Sequence, residues 1–208
     1  MNSDLSNISN NSFVTTFIPS LNNNLSASLL IYYQNARGIN TKLTTLLNSL
    51  SSSNFDFVCL SETWLHDGVG NSEFCPPAYN VFRSDRNFAN CNLSRGGGVL
   101  IALKQQFSAV QLDLSARGFD ALRLIDVVGI KCCFNHLFLF IFVVYINPRT
   151  STEEYNSFFS LISNLTELHN QRVLIVGDFN IPEYHYNLQA SAIGNNRLSS
   201  LSNFLNLC

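Results

Sequence analysis

The fold is decided by residues 29–60, LLIYYQNARGINTKLTTLLNSLSSSNFDFVCL. Leu29-Leu30-Ile31-Tyr32-Tyr33 is an unbroken apolar run, the pattern of a buried strand. Arg37-Gly38 turns the chain. Ile39, Leu43, Leu46, Leu47 and Leu50 then recur at helical spacing, which predicts an amphipathic helix ended by Ser51-Ser52-Ser53-Asn54. Residues 55–60 are a second apolar strand. Strand, helix, strand in this order predicts parallel neighbours joined by a crossover.

Downstream the rhythm changes. Residues 79–82 and 99–103 read as strands, the second preceded by Gly96-Gly97-Gly98. Residues 122–134 and 137–146 flank Asn135-His136, which reads as a hairpin turn. Pro148 stops that strand, and Ser151-Thr152-Glu153-Glu154 has the S-x-x-E form of a capping box. Tyr155, Phe158, Phe159, Ile162, Leu165 and Leu168 mark a helix with one apolar face, residues 172–176 a further strand, and Leu198, Leu201, Phe204 and Leu205 a last helix. A strand-helix-strand start, a β-rich middle and a closing helix-strand unit predict an α/β protein of two packed sheets with helices outside. Residues 1–27 are rich in Asn and Ser and are expected to be a disordered leader, in which Phe13, Val14, Phe17 and Ile18 allow a short edge strand. The domain is expected to occupy 28–208.

Composition narrows the function. Of 208 residues, 46% are apolar, 17 are Phe, and only 12% are charged, so a sizeable core is available and a wholly disordered chain is excluded. The net charge of −2 argues against a polybasic nucleic-acid binder but not against a local basic cleft. Cys59, Cys75, Cys91, Cys132, Cys133 and Cys208 show neither a CxxC pair nor metal-finger spacing, and are expected to be reduced thiols of an intracellular protein. No Lys or Arg precedes Arg37, and the N-terminal region has no continuous apolar core, so secretion is not expected. The longest apolar run, Leu137–Ile146, is half of the roughly 20 residues a membrane helix needs. A nuclear or cytoplasmic monomer is the expectation.

Four apolar strands end in polar groups: Gln34-Asn35, Ser61-Glu62, Tyr145-Ile146-Asn147 and Gly177-Asp178-Phe179-Asn180. If these strands are neighbours, Asn35, Glu62, Tyr145, Asp178 and Asn180 meet at one rim, where ligand sites of α/β sheets lie. A single strand-end carboxylate more often caps a turn; recurrence at the same strand position is what argues for a site. Two carboxylates with amides are hard oxygen donors and suit Mg²⁺, with Mn²⁺ as the alternative ion. Such a site would polarise a phosphodiester. Arg95-Gly96-Gly97-Gly98 reads as a weak candidate for a phosphate-cradling loop, and Arg83, Arg86, Arg95 and Lys104 as a modest basic patch, opposed in their segment by Asp85 alone. His66, His136, His169 and His185 read as surface residues.

The segments QNARG (34–38), SETWL (61–65), RGGGVLIAL (95–103), VVYINP (143–148) and GDFNIP (177–182) together resemble the endonuclease/exonuclease/phosphatase, or DNase I-like, superfamily. Their wording is most similar to the apurinic-type endonuclease domain that precedes the reverse transcriptase of non-LTR retrotransposons. The resemblance implies a four-layer α/β sandwich and Mg²⁺-dependent DNA nicking. It casts Glu62 as metal ligand and four residues as catalytic: Asn35, matching the Asn of the first strand motif, Tyr145, matching the phosphate-contacting Tyr, and Asp178 with Asn180, matching the pair that positions the attacking water and stabilises the transition state; Arg95, Gly97 and Asn147 are cast as contacts to DNA phosphate. The superfamily's Ser-Asp-His motif has no counterpart after Asn180, and no reverse transcriptase is present. This predicts a domain lacking its final strands, with little activity of its own. Two other readings stand beside it: a non-catalytic remnant that binds nucleic acid or a protein, and a phosphatase of the same superfamily, against which the SETW and GGGV wording argues.

Overall fold

The 29–60 segment folds as its pattern predicts. Strand β2 (Leu29–Asn35) leads into helix α1 (Leu43–Ser52) and back to β3 (Phe57–Ser61), which pairs parallel with β2 from Ile31↔Phe57 to Asn35↔Ser61. The computed structural model describes residues 12–17, 28–134, 137–165, 168 and 171–181. The expected helix around Leu198–Leu205 and the expected loss of final strands lie outside these residues.

The outermost strand of this sheet is β1 (Ser12–Phe17), antiparallel to β2, so the sheet begins inside the Asn/Ser-rich segment rather than after it. On the other side of β3 come β5 (Val99–Lys104) and then β4 (Tyr79–Ser84), both in antiparallel pairings. The sheet order is β1-β2-β3-β5-β4. The second sheet has the order β6-β7-β8-β9, from β6 (Ser108–Gln111), β7 (Ile125–Phe134), β8 (Leu137–Ile146) and β9 (Arg172–Asp178). β7 and β8 form the expected antiparallel hairpin, whose turn residues 135–136 lie outside the described set. Helix α2 (Thr152–Ser163) then returns the chain so that β9 runs parallel to β8.

Three apolar clusters give four layers. Leu46 and Leu50 of α1 cover Tyr32, Val58, Leu60 and Leu100 on the outer face of the first sheet. Ile31, Cys59, Ile101, Ile130, Ile141 and Val143 fill the space between the sheets. Tyr155, Phe158, Phe159 and Ile162 of α2 cover Val127, Phe140, Phe142 and Val144 on the outer face of the second. Alternate residues of one strand thus serve opposite clusters, as the two-residue period of a strand requires. The architecture is the four-layer α/β sandwich. Among the described residues no helix is long and apolar enough to cross a membrane.

One local expectation is corrected. Ser151 caps α2, its Oγ accepting from the Glu154 amide at 3.2 Å. Glu154 does not complete the box; its Oε1 accepts from the backbone N–H of Arg123 (2.6 Å) and Leu124 (2.7 Å), tying the helix to the lead-in of β7.

Candidate active site

Parallel pairing puts the carboxyl ends of β2 and β3 side by side, and does the same for β8 and β9. The two sheets bring both pairs to one rim. Asn35, ending β2, donates from Nδ2 to Asp178 Oδ2, ending β9, at 2.7 Å. Asp178 Oδ1 accepts from the Asn180 amide at 3.1 Å. Asn180 in turn donates from Nδ2 to the carbonyl of Ile146, ending β8, at 2.6 Å. Tyr155 of α2 donates its hydroxyl to the Phe179 carbonyl, pinning the turn that carries Asn180.

Glu62 follows β3. Its Oε2 accepts from the indole N–H of Trp64 at 2.9 Å, and Tyr145 stands close to its carboxylate. Burial, then the neighbouring Glu62 carboxylate and the charge of Asp178, push the Tyr145 hydroxyl well above its ordinary pKa, against the pull of Arg86. The phenol therefore stays protonated at neutral pH and can donate. Tyr33, whose hydroxyl pairs with Ser61 Oγ at 2.9 Å, is likewise pushed up, first by burial. All five strand-end residues singled out in the sequence thus gather here.

The rim is also where the backbone is strained. Among the described residues, Arg37, Glu62, Trp64 and Asn180 are the non-glycine residues with positive φ, between 48° and 57°. Each such conformation costs about 1–3 kcal/mol and persists only where the surroundings enforce it.

The basic patch is corrected. Arg83 pairs with Asp85 (3.1 Å) and Lys104 with Asp56 (3.2 Å). Arg86 is buried, its guanidinium bound to Asp126 at 2.6 Å, with Cζ 5.4 Å from the centre of the Tyr145 ring. Arg95 alone of the four is exposed at the rim, its Cζ 4.0 Å from the centre of the Trp64 ring. Gly97 is buried rather than open to a ligand. Its carbonyl accepts from the Trp64 amide at 2.9 Å, and a Cβ there would stand 2.3 Å from Arg86 Nε and 2.6 Å from Asp126 Oδ2. Asn147 serves the turn after β8, its Oδ1 accepting from the Arg149 amide at 2.9 Å. His66 is likewise used locally, Nδ1 accepting from the Gly68 amide at 3.1 Å.

Two contributors escaped the sequence reading. Asp126, at the start of β7, has no strand-end signature, and Trp64 stands in a quoted motif without a role. The donor set fits a hard cation. Glu62 and Asp178 offer carboxylate oxygens at one rim, and Mg²⁺ takes one or two carboxylates while keeping several waters. Among the described residues no three His, Cys, Asp or Glu gather as a closed metal cage.

Known proteins extend this picture. No curated protein sequence matches the chain. Solved structures share the fold. One is the endonuclease domain of TRAS1, a telomere-specific non-LTR retrotransposon (TM-score 0.55, 14% identity, covering 84% of this chain and 71% of that one). Another is TDP2 of D. rerio complexed with single-strand DNA product (TM-score 0.54, 16% identity, 86% and 66%). A third is an endonuclease/exonuclease/phosphatase family protein from Bacteroides thetaiotaomicron (TM-score 0.52, 17% identity, 76% and 66%). At these identities the likeness is one of fold. The sequence itself matches the profile of the Endonuclease/Exonuclease/phosphatase family over residues 32–204, and on that match, spanning most of its length, the chain belongs to this family.

Proposed function

We propose that this chain is a DNA-cleaving endonuclease domain of the non-LTR retrotransposon type, using Mg²⁺ (or Mn²⁺) held by Glu62. The observation that carries the reading is the joining of the two sheets at the rim, with Asn35 donating to Asp178 and with Glu62 and Tyr145 close beside them. The family is generally hydrolytic and dependent on divalent metals. When bound, the cation would polarise the scissile phosphate and stabilise charge on the leaving oxygen.

The chain's own residues supply the rest. The Tyr145 hydroxyl, kept protonated, donates to a phosphate oxygen. Asp178 is held by two donors, Asn35 Nδ2 and the Asn180 amide. A carboxylate has about four acceptor positions, so two remain to orient the attacking water and take its proton. Arg95 offers positive charge to the DNA backbone from its place over Trp64.

The test is nicking of supercoiled plasmid by enzyme in excess, with Mg²⁺, over long incubation. Metal-dependent nicking is expected, lost in Glu62→Gln and in Asp178→Asn. Nicking that survives both substitutions refutes the assignment. Binding of DNA and metal without any nicking favours the non-catalytic reading.

A further inference from the structure

We infer that Trp64 is a positioning residue that fixes the Glu62 carboxylate for a divalent cation. The inference rests on the reading of Glu62 as the cation's ligand.

Four observations meet at this indole. Its N–H donates to Glu62 Oε2 at 2.9 Å, so a neutral donor orients the carboxylate while further acceptor positions on it remain for a cation. Trp64 and Glu62 both hold left-handed backbone, at φ 57° and 55°. The backbone on either side of the ring is tied down: the Trp64 amide donates to the Gly97 carbonyl at 2.9 Å, and the Trp64 carbonyl accepts from Asn40 Nδ2 at 2.8 Å. The ring itself is walled in. A Cβ on Gly38 would stand 2.4 Å from Trp64 Cε3, so only glycine lets the chain pass there, and the Arg95 guanidinium stacks over the indole at 4.0 Å.

A partly exposed tryptophan held this firmly is not explained by apolar packing, since it belongs to none of the three core clusters. Its donor is spent on the carboxylate assigned to the cation. Groups that hydrogen-bond a ligating side chain fix its direction, and their loss weakens metal affinity by about 10- to 100-fold.

Trp64 is the only tryptophan in the chain, so its emission reports on the site without a label. The experiment titrates the full 208-residue chain with Mn²⁺. Free Mn²⁺ is followed by electron paramagnetic resonance and, in parallel, indole emission by fluorescence. In the wild type, emission is expected to quench saturably with the midpoint of Mn²⁺ binding. Trp64→Phe keeps a ring but no N–H, and should bind Mn²⁺ about 10- to 100-fold more weakly with an unchanged melting temperature. Glu62→Gln separates the two readings. If it binds Mn²⁺ as tightly as the wild type, the assignment of the cation to Glu62 falls. If it binds weakly while Trp64→Phe binds normally, that assignment stands and the role of Trp64 is refuted. Should Trp64→Phe not fold, the wild-type titration decides: emission that ignores Mn²⁺ bound through Glu62 overturns the inference.

Discussion

Removing the Asp126 carboxylate would isolate a guanidinium inside the protein. The Arg86 side chain is 1% exposed and that of Asp126 9%. Asp126 Oδ2 accepts from Arg86 Nη2 at 2.6 Å and from the Gly98 amide at 3.0 Å, while Arg86 Nε lies 3.2 and 3.1 Å from the two carboxylate oxygens. Arg86 has one other oxygen partner, the Leu124 carbonyl at 3.4 Å. Burial pushes the Asp126 carboxyl above its usual pKa, and Arg86 and Gly98 oppose that push, so each partner is the other's main compensation. Breaking a buried pair by deleting one member costs about 3–5 kcal/mol, and an orphaned amide adds about 1–3 kcal/mol. Asp126→Leu should therefore destabilise by about 4 kcal/mol or more, a large share of the usual 5–15 kcal/mol. In urea, with a slope near 2 kcal/mol per molar, the midpoint should fall by roughly 2 M at unchanged slope. The double variant Arg86→Met/Asp126→Leu removes both charges and should cost only about 1–3 kcal/mol, the share of the Gly98 amide. A single variant within about 1 kcal/mol of wild type, or a double variant worse than the single, would refute the reasoning.

Three further outcomes are expected. Gly177→Ala places a Cβ 2.0 Å from the Val144 carbonyl oxygen, which must push β9 off β8; urea unfolding should show a loss of about 1–3 kcal/mol or more, with a metal-dependent nicking rate that falls as Asp178 moves. Burial raises the thiols of Cys59, Cys75 and Cys132 to about 12, so at pH 8 only about one in 10⁴ is thiolate. Mass-spectrometric mapping after brief alkylation should find Cys91 and Cys133 modified ahead of these three, and all of them modified in denaturant. Glu154→Gln keeps a side-chain acceptor for the Arg123 and Leu124 amides and should cost under about 1 kcal/mol, whereas Glu154→Ala should cost about 1–3 kcal/mol by thermal melting, because it strands both.

What the sequence made legible follows from period and polarity. Unbroken apolar runs identify strands buried on both faces, and the helical spacing of Leu43, Leu46 and Leu50 separates α1 from its neighbours. Once β2 and β3, and β8 and β9, are read as parallel pairs, the meeting of their polar ends follows. Asp126 was not legible because it opens β7 rather than ending it, and only the packing of the sheets brings it to Arg86, forty positions earlier. Lys104 looked free because its partner Asp56 lies 48 positions away and outside the segment whose charges were counted, whereas Asp85, counted there, pairs with Arg83. Left-handed Glu62 and Trp64 carry no residue-type signal, since bulky side chains ordinarily avoid that conformation. Asn147 shares a strand end with Tyr145 yet spends its oxygen on a turn, the ordinary use of an asparagine there.

The topology explains why one rim collects these residues from both sheets. β2-α1-β3 and β8-α2-β9 are the same unit built twice, a parallel pair with its helix on the outer face. Each unit alone offers two strand ends, Asn35 with Glu62 in the first and Tyr145 with Asp178 in the second. Packed face to face through Ile31, Cys59, Ile141 and Val143, the units interleave their contributions: Asn35 of the first holds Asp178 of the second, and Tyr145 of the second stands against Glu62 of the first. Each carboxylate therefore meets a side chain of the other unit. A change that slides one sheet over the other would disturb both together, and the interior pair Arg86–Asp126, which also spans the two sheets beside Tyr145, resists such a slide.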